Sequence, residues 1–397
     1  MKEQIRKLII NIDNNKNHKY STQRDPSEFI TYLTNILNET YYNLYYFENY
    51  AVITKPKKKP MDPNIDDIEP VIKQKMQIRG DVNNIEELIK LIELHPKVEN
   101  LEYDLTNMEN LYLIKDDLIE LNNMIGMRQL KNQILDQILY FSQGLHKFSN
   151  DFLHTVIYGA PGTGKTEIAK IMGKIYSKLG ILKKGIFKKA TRSDFVAGYL
   201  GQTAIKTKEL IESCLGGVLF IDEAYALGNP EKKDSFAKEA LDTLCEALSD
   251  HKNELMVIIA GYEEELDTCF FDYNQGLESR FIWRFKTDKY TANDLKQIFL
   301  KMIGDAKWKI DESIFPEDWF EIKMSYFRYY GRDMETLFTK IKIAHGKRIF
   351  GKESSLKTIL TLEDLDNGFN NFIDNEKMKK RKEKLETQST IYKNLYI

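Results

Sequence analysis

The run Gly159-Ala160-Pro161-Gly162-Thr163-Gly164-Lys165-Thr166 fits the pattern G-x-x-x-x-G-K-[ST]. In that pattern the backbone N–H groups of a glycine-rich loop wrap phosphates, the lysine reaches the β- and γ-phosphates, and the threonine hydroxyl holds Mg²⁺. Further along, the apolar run from Val218 closes on two acids, Asp222 and Glu223. Phosphoryl transfer needs an acid near Mg²⁺ and a group that orients the attacking nucleophile, and successive positions at a strand tip can serve both. Asp222 is therefore assigned with Thr166 to the Mg²⁺, and Glu223 to polarising the water. Alone, an Asp-Glu pair after a strand would serve as a helix cap. The phosphate loop upstream turns the same pair into chemistry, and the whole reads as a nucleotide-phosphate site.

These residues need a particular scaffold. Thr155–Tyr158 reads as a short buried strand, and the residues from Thr166 onward read as a helix whose N-terminus faces the anion. Four further strands are predicted at 186–190, 218–222, 256–260 and 282–285, alternating with helices. That alternation predicts an α/β fold with a parallel five-stranded sheet, helices on both faces and a ligand beyond the carboxyl ends of the strands. After Thr291 the pattern turns helical, with helices predicted over 293–302, 319–330, 332–345 and 362–373. Ahead of the sheet, an Asp or Asn cap after Gly80 opens an amphipathic helix that should stop near Pro96, and the stretch from Leu118 leads into a second helix ending near Phe148.

Composition bounds the rest. At 397 residues with 42% hydrophobic side chains, the chain predicts two or three folded domains. Lys plus Arg at 58 against Asp plus Glu at 60 leaves a net charge of -2, which gives no global case for a nucleic-acid or membrane partner. Cys214, Cys245 and Cys269 show no paired metal spacing and read as reduced structural thiols, so a cytoplasmic setting is expected, or the host cytoplasm if the source is viral. No run of eighteen apolar residues occurs, and the N-terminal residues lack the pattern of a signal peptide. Residues 1–54 hold two apolar-periodic stretches and the aromatic run Thr40–Tyr50, read as a helical unit. Lys55-Pro56-Lys57-Lys58-Lys59-Pro60 reads as a linker or exposed loop, and the lysine-rich stretch from Lys377 as a solvated tail.

With both motifs in place, the sequence resembles the AAA+ ATPases, and several stretches are similar to the CbxX/CfqX family, which includes the red-type Rubisco activases. The stretches are Thr191–Thr203 (TRSDFVAGYLGQT), Leu215–Leu227 (LGGVLFIDEAYAL), Ile258–Tyr262 (IIAGY) and Asn274–Phe281 (NQGLESRF). The likeness spans about residues 118–350. It implies a large ATPase domain at 111–289 and a small helical lid at 290–374. Outside the likeness, the residues themselves read as a mostly helical N-terminal extension, with a unit at 1–54 and a linker with a scaffold helix at 55–110, and a charged tail at 375–397.

The resemblance also implies roles. Arg280 matches the arginine finger that reaches the γ-phosphate held by a neighbouring subunit. Arg332 matches the arginine by which the lid senses nucleotide in cis; as a cation at a helix start it opposes the helix dipole, so an anion should hold it there. Tyr199, with Leu200, resembles the pore loop that grips a polypeptide, and Ile125-Gly126 fits the adenine-side contact. The implied cofactors are ATP and Mg²⁺, and the implied partners are copies of the same chain, in a hexameric ring, and a protein client. Two positions depart from the pattern: Tyr262 stands where many AAA+ proteins carry a water-orienting Asn, and Glu335 where the family often has a second arginine. Two other functions fit the motifs, a nucleotide-dependent structural oligomer with slow turnover and a nucleic-acid-stimulated motor or loader. A GTPase would need a guanine-reading Asn-Lys-x-Asp, which the chain lacks.

Overall fold

The computed structural model describes residues 74–78, 80–98, 101–103, 108–149, 151–199, 201–228, 233–310, 315–316 and 318–374. The predicted helical unit at 1–54, the run at 55–60, Leu200 and the tail at 375–397 lie outside the described residues. The chain divides into two units, one of residues 1–79 and 97–105 and one of residues 80–96 and 106–397. In the first, Gln74–Met76 pairs in parallel with Leu101–Tyr103, two short strands in a stretch expected to be linker.

The second unit begins with helix α1 (Ile85–Leu94), whose start is fixed by Asn84, its side chain accepting from the Glu87 N–H at 2.9 Å. Helices α2 (Met108–Asn122) and α3 (Arg128–Ser142) follow. The sheet then unfolds in chain order as β1 (Thr155–Tyr158), β2 (Phe187–Ala190), β3 (Val218–Asp222), β4 (Met256–Gly261) and β5 (Trp283–Lys286). In space the order is β2-β3-β4-β1-β5, all parallel. All five predicted strands are present, with ends moved by one residue at most. Every residue of β1 and β4 is buried, as a parallel sheet covered on both faces requires. β2 lies at the edge and exposes Lys188 and Lys189, charges of the kind that blunt an open strand.

Helix α4 (Lys165–Lys178) follows β1, helix α5 (Thr203–Glu212) precedes β3, and helix α6 (Ser235–Asp250) precedes β4. After β5 come α7 (Ala292–Asp305), α8 (Trp319–Lys323), α9 (Tyr330–Ile349) and α10 (Leu362–Ile373). Their core is aromatic: the Phe299 ring lies 6.3, 6.0 and 6.0 Å from those of Phe315, Phe320 and Phe338. One predicted helix, at 319–330, is broken. A 3₁₀ turn at Met324–Tyr326 ends it, Asp333 accepts from the Tyr329 N–H at 2.7 Å, and Tyr330 takes a φ of 41° to start α9 in a new direction. The break has a consequence at the phosphate loop, where Gly331 N–H donates to Gly162 O at 3.1 Å. A two-residue parallel pairing, Lys309–Ile310 with Ile359–Leu360, is too short to show in hydrophobic period.

Candidate active site

The loop between β1 and α4 is shaped by close approaches. A side chain at Gly159 would place its Cβ 2.0 Å from Thr287 Oγ1; at Gly162, where φ is +78°, it would meet Tyr329 O at 2.2 Å. Only glycine fits both places. Gly164 (φ 80°) precedes α4, and no side chain caps the helix, which leaves its first N–H groups for an anion. The Lys165 ammonium donates to Gly159 O and Ala160 O at 2.8 and 2.9 Å. Burial pulls its pKa below the usual lysine range, while Glu223 and Asp222 act to restore it.

A cavity of about 470 Å³ opens here, at the carboxyl edge of the sheet. It brings together Pro161, Gly162, Gly164, Lys165 and Thr166 of the loop, Asp222 and Glu223 of the strand tip, Arg332 of α9 and Ile125. Thus one space gathers most residues singled out from sequence, from four separated stretches. The Arg332 guanidinium makes no hydrogen bond or ion pair with any described residue, and with Lys165 it places two cations on a space that suits a polyanion. Gly126 lies beside the cavity, where an added Cβ would fall 2.7 Å from the Tyr290 ring.

The acids are held differently. Asp222 accepts from Lys189 Nζ at 2.6 Å, an ion pair across the β2–β3 edge. Glu223 takes a left-handed φ of 52° and one carboxylate oxygen, Oε2, accepts from the Tyr225 hydroxyl. Among the described residues no cluster of three or more His, Cys, Asp or Glu could hold a metal. A Mg²⁺ ion needs no such cluster, since it is commonly held by one or two carboxylates with substrate phosphates and water. Thr166 and Asp222, on the same cavity, fit that donor set.

Two residues lie elsewhere. Arg280 ends the short helix Gln275–Arg280, does not line the cavity, and donates from Nε to Ser249 Oγ at 2.8 Å and from Nη1 to Gly276 O at 2.6 Å. Tyr199 is 75% exposed, between Gly198 and Gly201, whose Cα positions face open space.

Sequence reasoning missed the apolar wall formed by Met124, Met127, Tyr290, Ile298 and Met302, and the Lys301 and Asp305 side chains that line the cavity with it; Glu335, singled out from sequence as a departure from the family pattern, lines it too. Such a wall suits a flat base. Tyr290 donates to Thr163 O at 3.3 Å, so it braces the phosphate loop as well. Its only sequence signal was its place just before a capping box at Thr291, which marks a helix start and no ligand.

The loop, the acidic strand tip and the sheet order define a P-loop ATPase, and residues 155–275 match the family described as "ATPase family associated with various cellular activities (AAA)". The chain is 38% identical over 320 residues to a cfxQ-like protein of Acanthamoeba polyphaga mimivirus, covering 80% of this chain and 78% of that protein. It is 34% identical over 275 residues to the CfxQ homolog of Pyropia yezoensis (66% of this chain, 88% of that protein). With CbxX of Cupriavidus necator it shares 31% over 256 residues, 61% of this chain and 80% of that protein. The chain belongs to the CfxQ/CbxX family of AAA ATPases.

Proposed function

We propose that this protein hydrolyses ATP to ADP and phosphate at the cavity between its phosphate loop and its C-terminal helices, in a hexameric ring that remodels or threads a protein client. The observation that carries the reading is the convergence of Lys165, Thr166, Asp222, Glu223 and Arg332 on one cavity, while Arg280 stands outside it. In this reading Lys165 exchanges its two carbonyl partners for the β- and γ-phosphates, a stronger, charge-assisted contact. Thr166 and Asp222 would hold Mg²⁺, which would supply charge neutralisation to the phosphates. Glu223 takes the proton of the attacking water, with the Tyr225 hydroxyl fixing one carboxylate oxygen and leaving the other for the water. Arg332 senses the nucleotide in cis through the start of α9. Arg280 completes a neighbour's site, which makes turnover depend on assembly, and Tyr199 with Leu200 meets the client.

The test is turnover in the Glu223→Gln chain. It should bind ATP and assemble as the wild type does while hydrolysis falls by roughly 10²- to 10⁴-fold, the span of a lost general base. Unchanged turnover would remove Glu223 from this role. Arg280→Ala should lose assembly-dependent hydrolysis, read as specific activity against protein concentration. The Glu223→Gln ring, held with ATP, is also the bait for identifying the client.

A second reading has one observation in its favour. Tyr262 occupies the place of the usual water-orienting residue, with its ring 6.4 Å from that of Tyr225, so a slow ATPase acting as a nucleotide-locked scaffold is the alternative. Turnover well below one per minute in an assembled wild-type sample would select it.

A further inference from the structure

Two arginines follow one another near the start of β5, and their surroundings differ. Arg284 is engaged on several sides: it donates to the Tyr158 hydroxyl at 3.1 Å, pairs with Glu278 at 3.3 Å and lies 4.7 Å over the Phe271 ring. Arg280 is held at two of its three nitrogens. Nε meets Ser249 Oγ, Nη1 meets Gly276 O, and Nη2 has no partner among the described residues. The two anchors come from different elements. Ser249 lies in the last turn of α6. Gly276 lies in the Gln275–Arg280 helix, whose start is fixed by Asn274, its Oδ1 accepting from Gly276 N–H at 2.9 Å and its amide donating to Asp242 of α6 at 2.9 Å. A guanidinium pinned through two of its nitrogens keeps one orientation and still has the N–H groups of Nη2 to offer.

We propose that Ser249 is a positioning residue for Arg280: its hydroxyl fixes the guanidinium plane so that the uncommitted N–H groups of Nη2 are held ready for the phosphate bound by the next subunit. The inference rests on the proposed trans role of Arg280. A preset orientation matters because a finger acts on developing charge only if it need not reorganise when the reaction occurs. Ser249 does not line the cavity and accepts from Arg280 Nε, so it acts through Arg280.

Ser249→Ala removes one hydrogen bond and should lower kcat roughly 3- to 10-fold, the effect of one such bond, with KM for ATP unchanged. Ser249→Thr, which keeps the hydroxyl, should recover most of the activity. Subunit mixing separates positioning from simple damage. Ser249→Ala chains retain Glu223 but present a loose finger; Glu223→Gln chains cannot hydrolyse but present an intact one. Adding the inactive Glu223→Gln chains should therefore raise the turnover per Ser249→Ala chain, because every intact site whose finger comes from a Glu223→Gln neighbour then receives a fixed arginine. A Ser249→Ala enzyme with wild-type kcat, or one whose loss is not relieved by mixing, overturns the proposal. An Arg280→Ala ring that hydrolyses ATP normally overturns it at an earlier point, by removing the trans finger itself, and is told apart because Ser249 then has nothing to position.

Discussion

Lys165 is a buried cation whose hydrogen bonds go to two carbonyl oxygens of its own loop. Burial disfavours its charge, and the two acids at the tip of β3 oppose that effect. A phosphate arriving at this point meets an ammonium already in place. Lys165→Met should weaken ATP binding by about 10- to 100-fold, the scale of one lost charge-assisted hydrogen bond, as read by fluorescent-nucleotide titration. Wild-type affinity in that variant would show that the loop N–H groups bind phosphate unaided. Asp222 makes the complementary point, since its carboxylate is paired with Lys189, a residue that carries no motif.

Among the elements, the break before α9 is what joins the helical region to the phosphate loop. A continuous helix through 319–330 would not bring Tyr329–Arg332 to Gly162, whereas the turn at Met324–Tyr326 does. Helices α9 and α10 are in turn packed at Gly368, where an added Cβ would fall 2.3 Å from Ile341 Cγ1 and 2.6 Å from its Cα. Gly368→Ala should destabilise the fold by about 1–3 kcal/mol, the usual effect of overpacking, seen as a lower denaturation midpoint. The same helices share a buried ion cluster: His345 Nδ1 lies 3.0 Å from Asp364, and Arg348 grips both Asp364 oxygens at 2.7 and 2.9 Å. Burial alone would raise the Asp364 pKa, yet the hydrogen bonds from Arg348 and His345 hold it at about 2. That contribution is present above the ordinary carboxylate pKa and is lost as the pH falls from about 4 towards 2.

Across the whole molecule, His154 ties the sheet to α6. Its Nδ1 accepts from Val257 N–H at 3.1 Å and its Nε2–H donates to Leu248 O at 3.2 Å, a neutral ring with no exposure. Desolvation lowers its pKa from 6.5 to about 4. Between those values the unfolded chain binds a proton that the folded chain does not, so stability falls as the pH drops from 6.5 to 4, by about 3 kcal/mol in all. Denaturant unfolding across this range, wild type against His154→Gln, should show the slope largely removed in the variant. An equal slope in both would mean that other groups carry it. The sequence by itself determined the phosphate loop, the Asp222-Glu223 tip and the five strands, because each is a contiguous run whose composition and period act locally. Family membership was legible for the same reason, in the stretches around Tyr199, Asp222 and Arg280. Only the tertiary structure decided that β1 lies between β4 and β5, that Lys189 faces Asp222, that Met124, Tyr290 and Ile298 wall one cavity with Lys165, and that Ser249 holds Arg280. A hydrophobic period reports which face of an element is buried and not what buries it, so contacts set by strand order and by a helix break stay unreadable until the chain is folded.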